Sequence, residues 1–190
     1  MLVLNSHIQN VPVMSLQSGA SLGTTSEPII DPRKLQIVAF KVIGPRVLEP
    51  SVLHTIDIRE LGPLGFIVDG ADNVMTLDED LVRLQEVIKL NFNLIGKIVI
   101  DETKKKLGKV LEYTLESESF FIQKIHVSQS VLKNLKNSNL LIHRTQIVEI
   151  TDREIIVRSA SVQQQVGLTQ VLNPFRKPQA SLSPESISKD

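Results

Sequence analysis

Four histidines, His7, His54, His126 and His143, are the side chains best suited to metal or acid–base chemistry, and the chain has no cysteine. A zinc centre needs imidazole, thiolate or carboxylate donors that converge at suitable spacing. His126 sits between Ile125 and Val127 in an alternating segment, and all four histidines read as ordinary surface or hydrogen-bonded imidazoles. Nucleophilic catalysis needs a Ser or Cys beside a His and an acid. Ser128 and Ser130 follow His126, but there is no G-x-S-x-G elbow, and both serines read as helix caps. Neither a G-x-x-x-x-G-K-S/T nor a G-x-G-x-x-G motif is present to cradle a nucleotide phosphate. The expectation is a non-enzymatic protein with no catalytic, metal or cofactor-binding residues.

Two other clusters suit binding. Lys97, Lys104, Lys105, Lys106 and Lys109 form the densest concentration of charge. A turn presenting them could meet RNA phosphates, anionic lipid or an acidic protein face. No aromatic residue interleaves them, which disfavours base stacking. The plainer reading is a solvated hairpin tip whose lysines discourage edge-to-edge strand association. The second cluster is Asn173-Pro174-Phe175-Arg176-Lys177-Pro178, an aromatic between prolines followed by two cations. As a short linear motif it would use Phe175 as anchor and Arg176 and Lys177 as a charged flank, with the prolines limiting the entropy lost on docking. A linker, or a strap folding back on its own domain, fits the same residues.

Composition narrows the setting. The 190 residues are 42% hydrophobic and carry 21 basic and 21 acidic side chains, a net charge of zero. That length suits one domain or two small ones. The neutral balance argues against a general nucleic-acid binder. The absence of cysteine fits a reducing compartment, and the expected location is the cytoplasm. No apolar run approaches the roughly 18 residues of a membrane span. Met1-Leu2-Val3-Leu4-Asn5-Ser6-His7 has no basic lead and too short an apolar stretch for a signal peptide.

Four stretches would have to position these clusters. Residues 1–75 hold most of the glycines and prolines and have a net charge of −2. Thr76 to Phe92 lack both, and Leu77, Leu81, Leu84 and Ile88 recur at helical spacing behind a Thr76–Glu79 capping box. This predicts an amphipathic linker helix over 76–92. Residues 93–160, with a net charge of +3, return to strand patterning. Strands are predicted over 93–100, 107–115, 120–127, 140–150 and 154–158, with turns at Glu116–Ser119 and Thr151–Arg153. Leu107, Lys109, Leu111, Tyr113 and Leu115 are expected on one face of their strand, and Gly108, Val110, Glu112 and Thr114 on the other. Ser130–Lys136 reads as one or two helical turns. Residues 161–190 are predicted to be a largely disordered tail, from about Asn173 onward, because they have too little apolar surface to offset ordering entropy. Short strands with tight turns suggest small closed barrels.

The first half echoes the second. At an offset of 85, Leu22-Gly23 meets Leu107-Gly108, Val13-Met14 meets Ile98-Val99, Leu35 meets Phe120 and Val42 meets Val127. At an offset of 89, His54 meets His143, Glu60 meets Glu149 and Phe66-Ile67-Val68 meets Ile155-Ile156-Val157. A gain of four residues between the third and fourth strands of the second copy explains the change. Each copy alone is near the lower size limit for a stable core, so packing two together would bury more surface. The repeat would also keep His54 and His143 apart. Gly19, in the first turn, has no glycine counterpart in Thr103-Lys104-Lys105-Lys106, so the two turns need not share a type.

Asn93-Leu94-Ile95-Gly96-Lys97-Ile98-Val99-Ile100-Asp101, then Lys106-Leu107-Gly108-Lys109-Val110, then Arg144–Asp152 and Ile155-Ile156-Val157, resemble a PRC-barrel domain. That fold occurs in the photosynthetic reaction-centre H subunit and in the C-terminal half of the ribosome maturation factor RimM. The first copy is similar more loosely, with Val11-Pro12-Val13 in place of Ile95-Gly96-Lys97, Leu22-Gly23-Thr24 in place of Leu-Gly-Lys, and Pro28 inside a strand, which suggests an edge or bulge. The resemblance covers about 150 of the 190 residues. It implies small bent β-barrels that bind other proteins and implies no catalysis.

The expectation is therefore a mainly β chain of two tandem PRC-like barrels, 1–75 and 93–160, with short helices and a C-terminal tail. Its expected role is a protein-binding or scaffold module with an unknown protein partner. The unequal charges of the halves also suit self-association. The alternative is a ribosome- or RNA-associated factor using the Lys104–Lys106 turn and Lys109. Membrane attachment is disfavoured by the acidic polar face of the 76–92 segment.

Overall fold

Fourteen strands and one α-helix are seen in a computed structural model that describes residues 1–45, 47, 50–77, 82–128 and 139–159. The first half contains β1 (Leu2–Leu4), β2 (Pro12–Ser15), β3 (Ser21–Asp31), β4 (Gln36–Ile43), β5 (Ser51–His54), β6 (Glu60–Gly62), β7 (Gly65–Val68) and β8 (Val74–Thr76). Helix α1 spans Val82–Lys89. The second half contains β9 (Ile98–Asp101), β10 (Lys106–Glu116), β11 (Ile122–Ser128), β12 (Asn139–His143), β13 (Ile147–Ile150) and β14 (Glu154–Val157). The protein is mainly β.

The strands form two sheets with one topology. The first runs β6-β7-β2-β3-β4-β5-β8 and the second β13-β14-β9-β10-β11-β12, with β1 added to β10. In each, a single parallel pair, β2–β7 or β9–β14, brings the last hairpin back beside the first strand. The registers repeat as well. Val42 faces Thr25 and Val127 faces Val110, while His54 faces Ala39 and His143 faces Lys124. One expected match is corrected by one residue. Gly23 pairs with Val13 and Gly108 with Val99, so Val13 corresponds to Val99 rather than to Ile98. The turn between these strands is one residue shorter in the second half.

The expected ring closure is not made. Among the described residues no pairing joins β12 to β13, or β8 to β6. The described core falls into three clusters: the largest draws Ile30, Ile37, Phe40 and Phe66 from the first sheet and Val99, Val110, Leu115 and Ile125 from the second, a second lies within the first sheet around Val13, Val42, Leu53 and Val68, and a third lies under α1. At the centre of the largest, Phe40, Phe66 and Phe120 pack with ring centroids 5.1–6.0 Å apart. Burying each ring contributes on the order of 2–3 kcal/mol.

A local pseudo-dyad relates the halves where they meet. Ile37 N–H donates to Phe120 O at 3.0 Å, and Ile122 N–H donates to Leu35 O at 2.9 Å. Gln36 and Phe121 form an antiparallel bridge between these bonds. Leu35 and Phe120, equivalent residues, both take a left-handed backbone, at φ 51° and 58°. The segment preceding each unit crosses to the other. β1 pairs with β10, while α1 lays Leu84 and Val87 against Ile29, Ala39 and Val52.

Several sequence expectations change here. Thr76 does not cap a helix; it pairs with Ser51 in β8, and helix is described only from Val82. Glu79 and Leu81 lie outside the described residues, as do Ser130–Lys136 and the whole of 161–190. The segment predicted as one strand over 140–150 is split by a 3-10 turn, Arg144–Gln146. The face assignment of β10 fails halfway along. Gly108 and Val110 point inward, Leu111 is 55% exposed, and Tyr113 and Leu115 are buried. A bulge between Val110 and Glu112 supplies the extra residue that reverses the alternation. The first sheet has its bulge at the matching place, between Thr25 and Pro28, which accommodates the proline. The repeated Leu-Gly has a steric cause: a Cβ on Gly108 would lie 1.9 Å from Ser128 O, and one on Gly23 would lie 2.8 Å from Val42 Cγ1.

Candidate functional site

The lysine turn is built on Asp101. Its Oδ1 accepts from Thr103 N–H at 2.9 Å, Thr103 Oγ1 at 2.6 Å and Lys105 N–H at 3.0 Å. The Thr103 hydroxyl and these amides hold the Asp101 carboxyl below the usual carboxylate range. Ser15, its counterpart in the first half, accepts from Ser18 N–H at 3.2 Å. Lys104 takes φ 65° where Gly19 takes 66°, so the two turns share this left-handed step although only one has glycine. Lys104, Lys105, Lys106 and Lys109 are all exposed. Lys97 is drawn away from them: its Nζ donates to Asp152 O at 2.6 Å and lies 4.5 Å from the Phe92 ring centroid. Burial pushes the Lys97 amine down. Phe175, Arg176 and Lys177 lie outside the described residues.

Two of the histidines have separate local partners. His143 Nδ1 accepts from Thr145 N–H at 3.3 Å, capping the 3-10 turn that follows β12. His126 Nε2 is 2.8 Å from Thr114 Oγ1, and burial holds this imidazole below its ordinary pKa. His7 is exposed and His54 half-buried. Ser128, expected as a helix cap, is instead the last residue of β11, with Oγ 3.5 Å from Lys109 O. Among the described residues no three His, Asp or Glu side chains are grouped to hold a metal ion. No helix among them is long and apolar enough to cross a membrane.

A cavity of about 480 Å³ opens where the two halves meet α1. One wall is β3, with Ile29 and Ile30; α1 and the residues after it contribute Val87, Ile88 and Phe92. Glu27 and Lys41, paired through Oε2 and Nζ at 2.6 Å, lie at the exposed side. Asn5 and Tyr113 line it from the second sheet and the turn packed upon it. They are 5% and 1% exposed, and Asn5 Oδ1 and the Tyr113 hydroxyl have no hydrogen-bond partner among the described residues. Burial, reinforced by the charge of Glu112, pushes the Tyr113 phenol far above its ordinary value, so it remains protonated.

Sequence reasoning missed this pair. Tyr113 is the chain's one tyrosine and stands in a strand of aliphatic residues, which is a signal for a polar handle in a core. Nothing in the spacing of Asn5 and Tyr113 announces that they converge. No family model matches the chain, and no curated protein matches it.

Proposed function

We propose that this protein is a non-enzymatic PRC-barrel-type module that binds another protein, acting as an adaptor or scaffold in the cytoplasm. One observation carries the binding role: the two sheets end differently. In the first, β8 covers the outer edge of β5, pairing Thr76 with Ser51 and Val74 with Leu53. Its equivalent in the second, β12, has no outer partner among the described residues. Such an edge offers unpaired N–H and C=O groups to an added strand, and the alternate side chains of the edge select it. Leu141, 39% exposed in the middle of β12, supplies an apolar contact. The family reading rests on the repeated strand patterns, and the compartment on the absence of cysteine.

Affinity purification with mass spectrometry, comparing wild type with Leu141→Lys, tests the reading. A partner captured by the wild type and lost from the variant supports it. A partner set indifferent to the substitution sinks it. A chain ending at Ser159 shows whether the C-terminal residues compete for this edge, and light scattering across concentrations shows whether a second copy does.

A ribosome- or RNA-associated role is favoured by one observation, the Asp101 hydrogen bonds that hold the lysine turn. It requires co-sedimentation with ribosomal particles that weakens steeply with salt and is lost when Lys104, Lys105 and Lys106 become Glu. Binding that is flat or negligible at low salt removes this role and leaves the edge reading intact.

A further inference from the structure

We propose that Gln163-Gln164-Gln165, with Val166, form the outer strand of the second sheet, so that this chain's own C-terminal segment occupies the β12 edge until a partner strand displaces it. The displacement rests on the edge reading above; the strand pairing does not. In the first sheet β8 covers β5, and only Asp69–Asn73 connect it to β7. In the second, β14 ends at Val157, β12 has no outer partner among the described residues, and residues 160–190 lie outside them.

The repeat says which residues are due at this edge. An offset of 89 carries β7, Gly65–Val68, onto β14, Glu154–Val157, and carries His54, opposite Ala39, onto His143, opposite Lys124. The same offset carries β8, Val74–Thr76, onto Gln163–Gln165. Ser51, Val52 and Leu53 pair with Thr76, Met75 and Val74, so Leu140, Leu141 and Ile142 take Gln165, Gln164 and Gln163. Leu77, the next residue, donates its N–H to Pro50 O at 2.8 Å and packs against the cluster that holds Val52. Its counterpart is Val166, and that of Val52 is Leu141, which is 39% exposed where Val52 is 1%. Val166 supplies the apolar cover that Leu141 lacks among the described residues.

Two features make the strand displaceable. Glutamines stand in place of Val74 and Met75, with less apolar surface to bury. The seat of α1 is not repeated: Ile29 and Ala39, which pack with Leu84 and Val87, correspond to Thr114 and Lys124. A partner strand with apolar residues opposite Leu141 buries more against the edge, while the short connection keeps the chain's own segment at a high effective concentration.

The chain has no cysteine, so an introduced pair reports the register. In the full chain, Leu141→Cys with Gln164→Cys places two thiols directly opposite, within the Cα separation a disulfide requires. Leu141→Cys with Gln163→Cys places them on opposite faces. At micromolar protein in a glutathione redox buffer, the first pair should close within the monomer at least tenfold faster than the second. Equal rates, or no closure within the monomer, overturn the strand. Gln164→Pro gives a second measurement. Alternate residues bond to the same neighbouring strand, so Gln164, two before Val166, is a donor to β12. Its loss should speed amide exchange at Leu141 by tenfold or more, and unchanged exchange there also overturns the strand. Where the first pair closes, the disulfide locks the edge, and partners captured by the wild type should be lost on oxidation and return on reduction. Closure with partners unchanged would sink the displacement and the edge reading together while supporting the strand. Failure to close, with partners still lost from Leu141→Lys, would sink the strand and spare the edge reading.

Discussion

Lys104 and Gly19 occupy equivalent turns at φ 65° and 66°, but only glycine takes that backbone without a steric cost. Three hydrogen bonds to Asp101 Oδ1 hold the lysine there. Lys104→Gly should therefore raise stability by about 0.5 kcal/mol, the relief of the left-handed penalty less the added entropy of the unfolded chain. Gly19→Lys should lower it, because its turn has no carboxylate in the place of Asp101. Urea midpoints of the two variants check both signs. His126 adds a pH dependence. Burial keeps its folded pKa below the ordinary value of 6.5, so the unfolded chain binds the proton more readily. The stability linked to His126 is full above pH 6.5 and declines as pH falls through the window below it. His126→Gln should flatten the fall in urea midpoint as pH drops below 6.5. An unchanged slope would mean that another group titrates there. The carboxylates of Asp31 and Asp101, both lowered from 3.8, act in a separate and more acidic window.

At the scale of elements, what was legible in the sequence was what depends on local pattern and repetition. Leu22-Gly23 and Leu107-Gly108 mark equivalent places because each glycine lies where a Cβ would collide with the neighbouring strand. His54 and His143 fall at one register position because strands paired with a common register keep their offset. The illegible parts depend on contacts between distant segments. The bulge near Leu111 does mark the alternation, since the polar Lys109 and Glu112 flank two adjacent apolar residues, but the sequence does not say which of Val110 and Leu111 faces inward. Thr76 resembles a helix cap and is claimed by Ser51 across a sheet. Asn5 and Tyr113 meet one cavity only because the first strand crosses to the second sheet. That crossing is testable. Leu2, Val3 and Leu4 pair with Glu116, Leu115 and Thr114, and Ser117 N–H donates to Met1 O at 2.8 Å. Removing Met1–Leu4 should speed amide exchange at Thr114–Ser117 in the second sheet by tenfold or more, with a smaller effect on the adjoining β2. The reverse ordering would mean that the crossing does not form in solution.

For the whole molecule, the question is whether two similar units make two cooperative bodies or one. Units of this size bury a smaller share of their surface alone than a larger domain does and are marginal. The main core answers by composition: Phe40 and Phe66 come from the first half, Phe120 from the second, and all three are at most 2% exposed. The pseudo-dyad adds two backbone hydrogen bonds that neither half can make alone. β1 and α1 then tie each half to the other from outside. Separating the halves would expose the aromatic cluster and leave these backbone groups without their partners, so a state with only one half folded is strongly disfavoured. Thermal unfolding should therefore be a single transition with equal calorimetric and van't Hoff enthalpies. Phe120→Ala, costing about 3–5 kcal/mol, should lower the stability of both halves together, with amides of β4 and β11 losing exchange protection by a similar factor. Two resolved transitions, or a loss confined to the second half, would show that the units fold independently and that the cavity between them is not fixed by a common core.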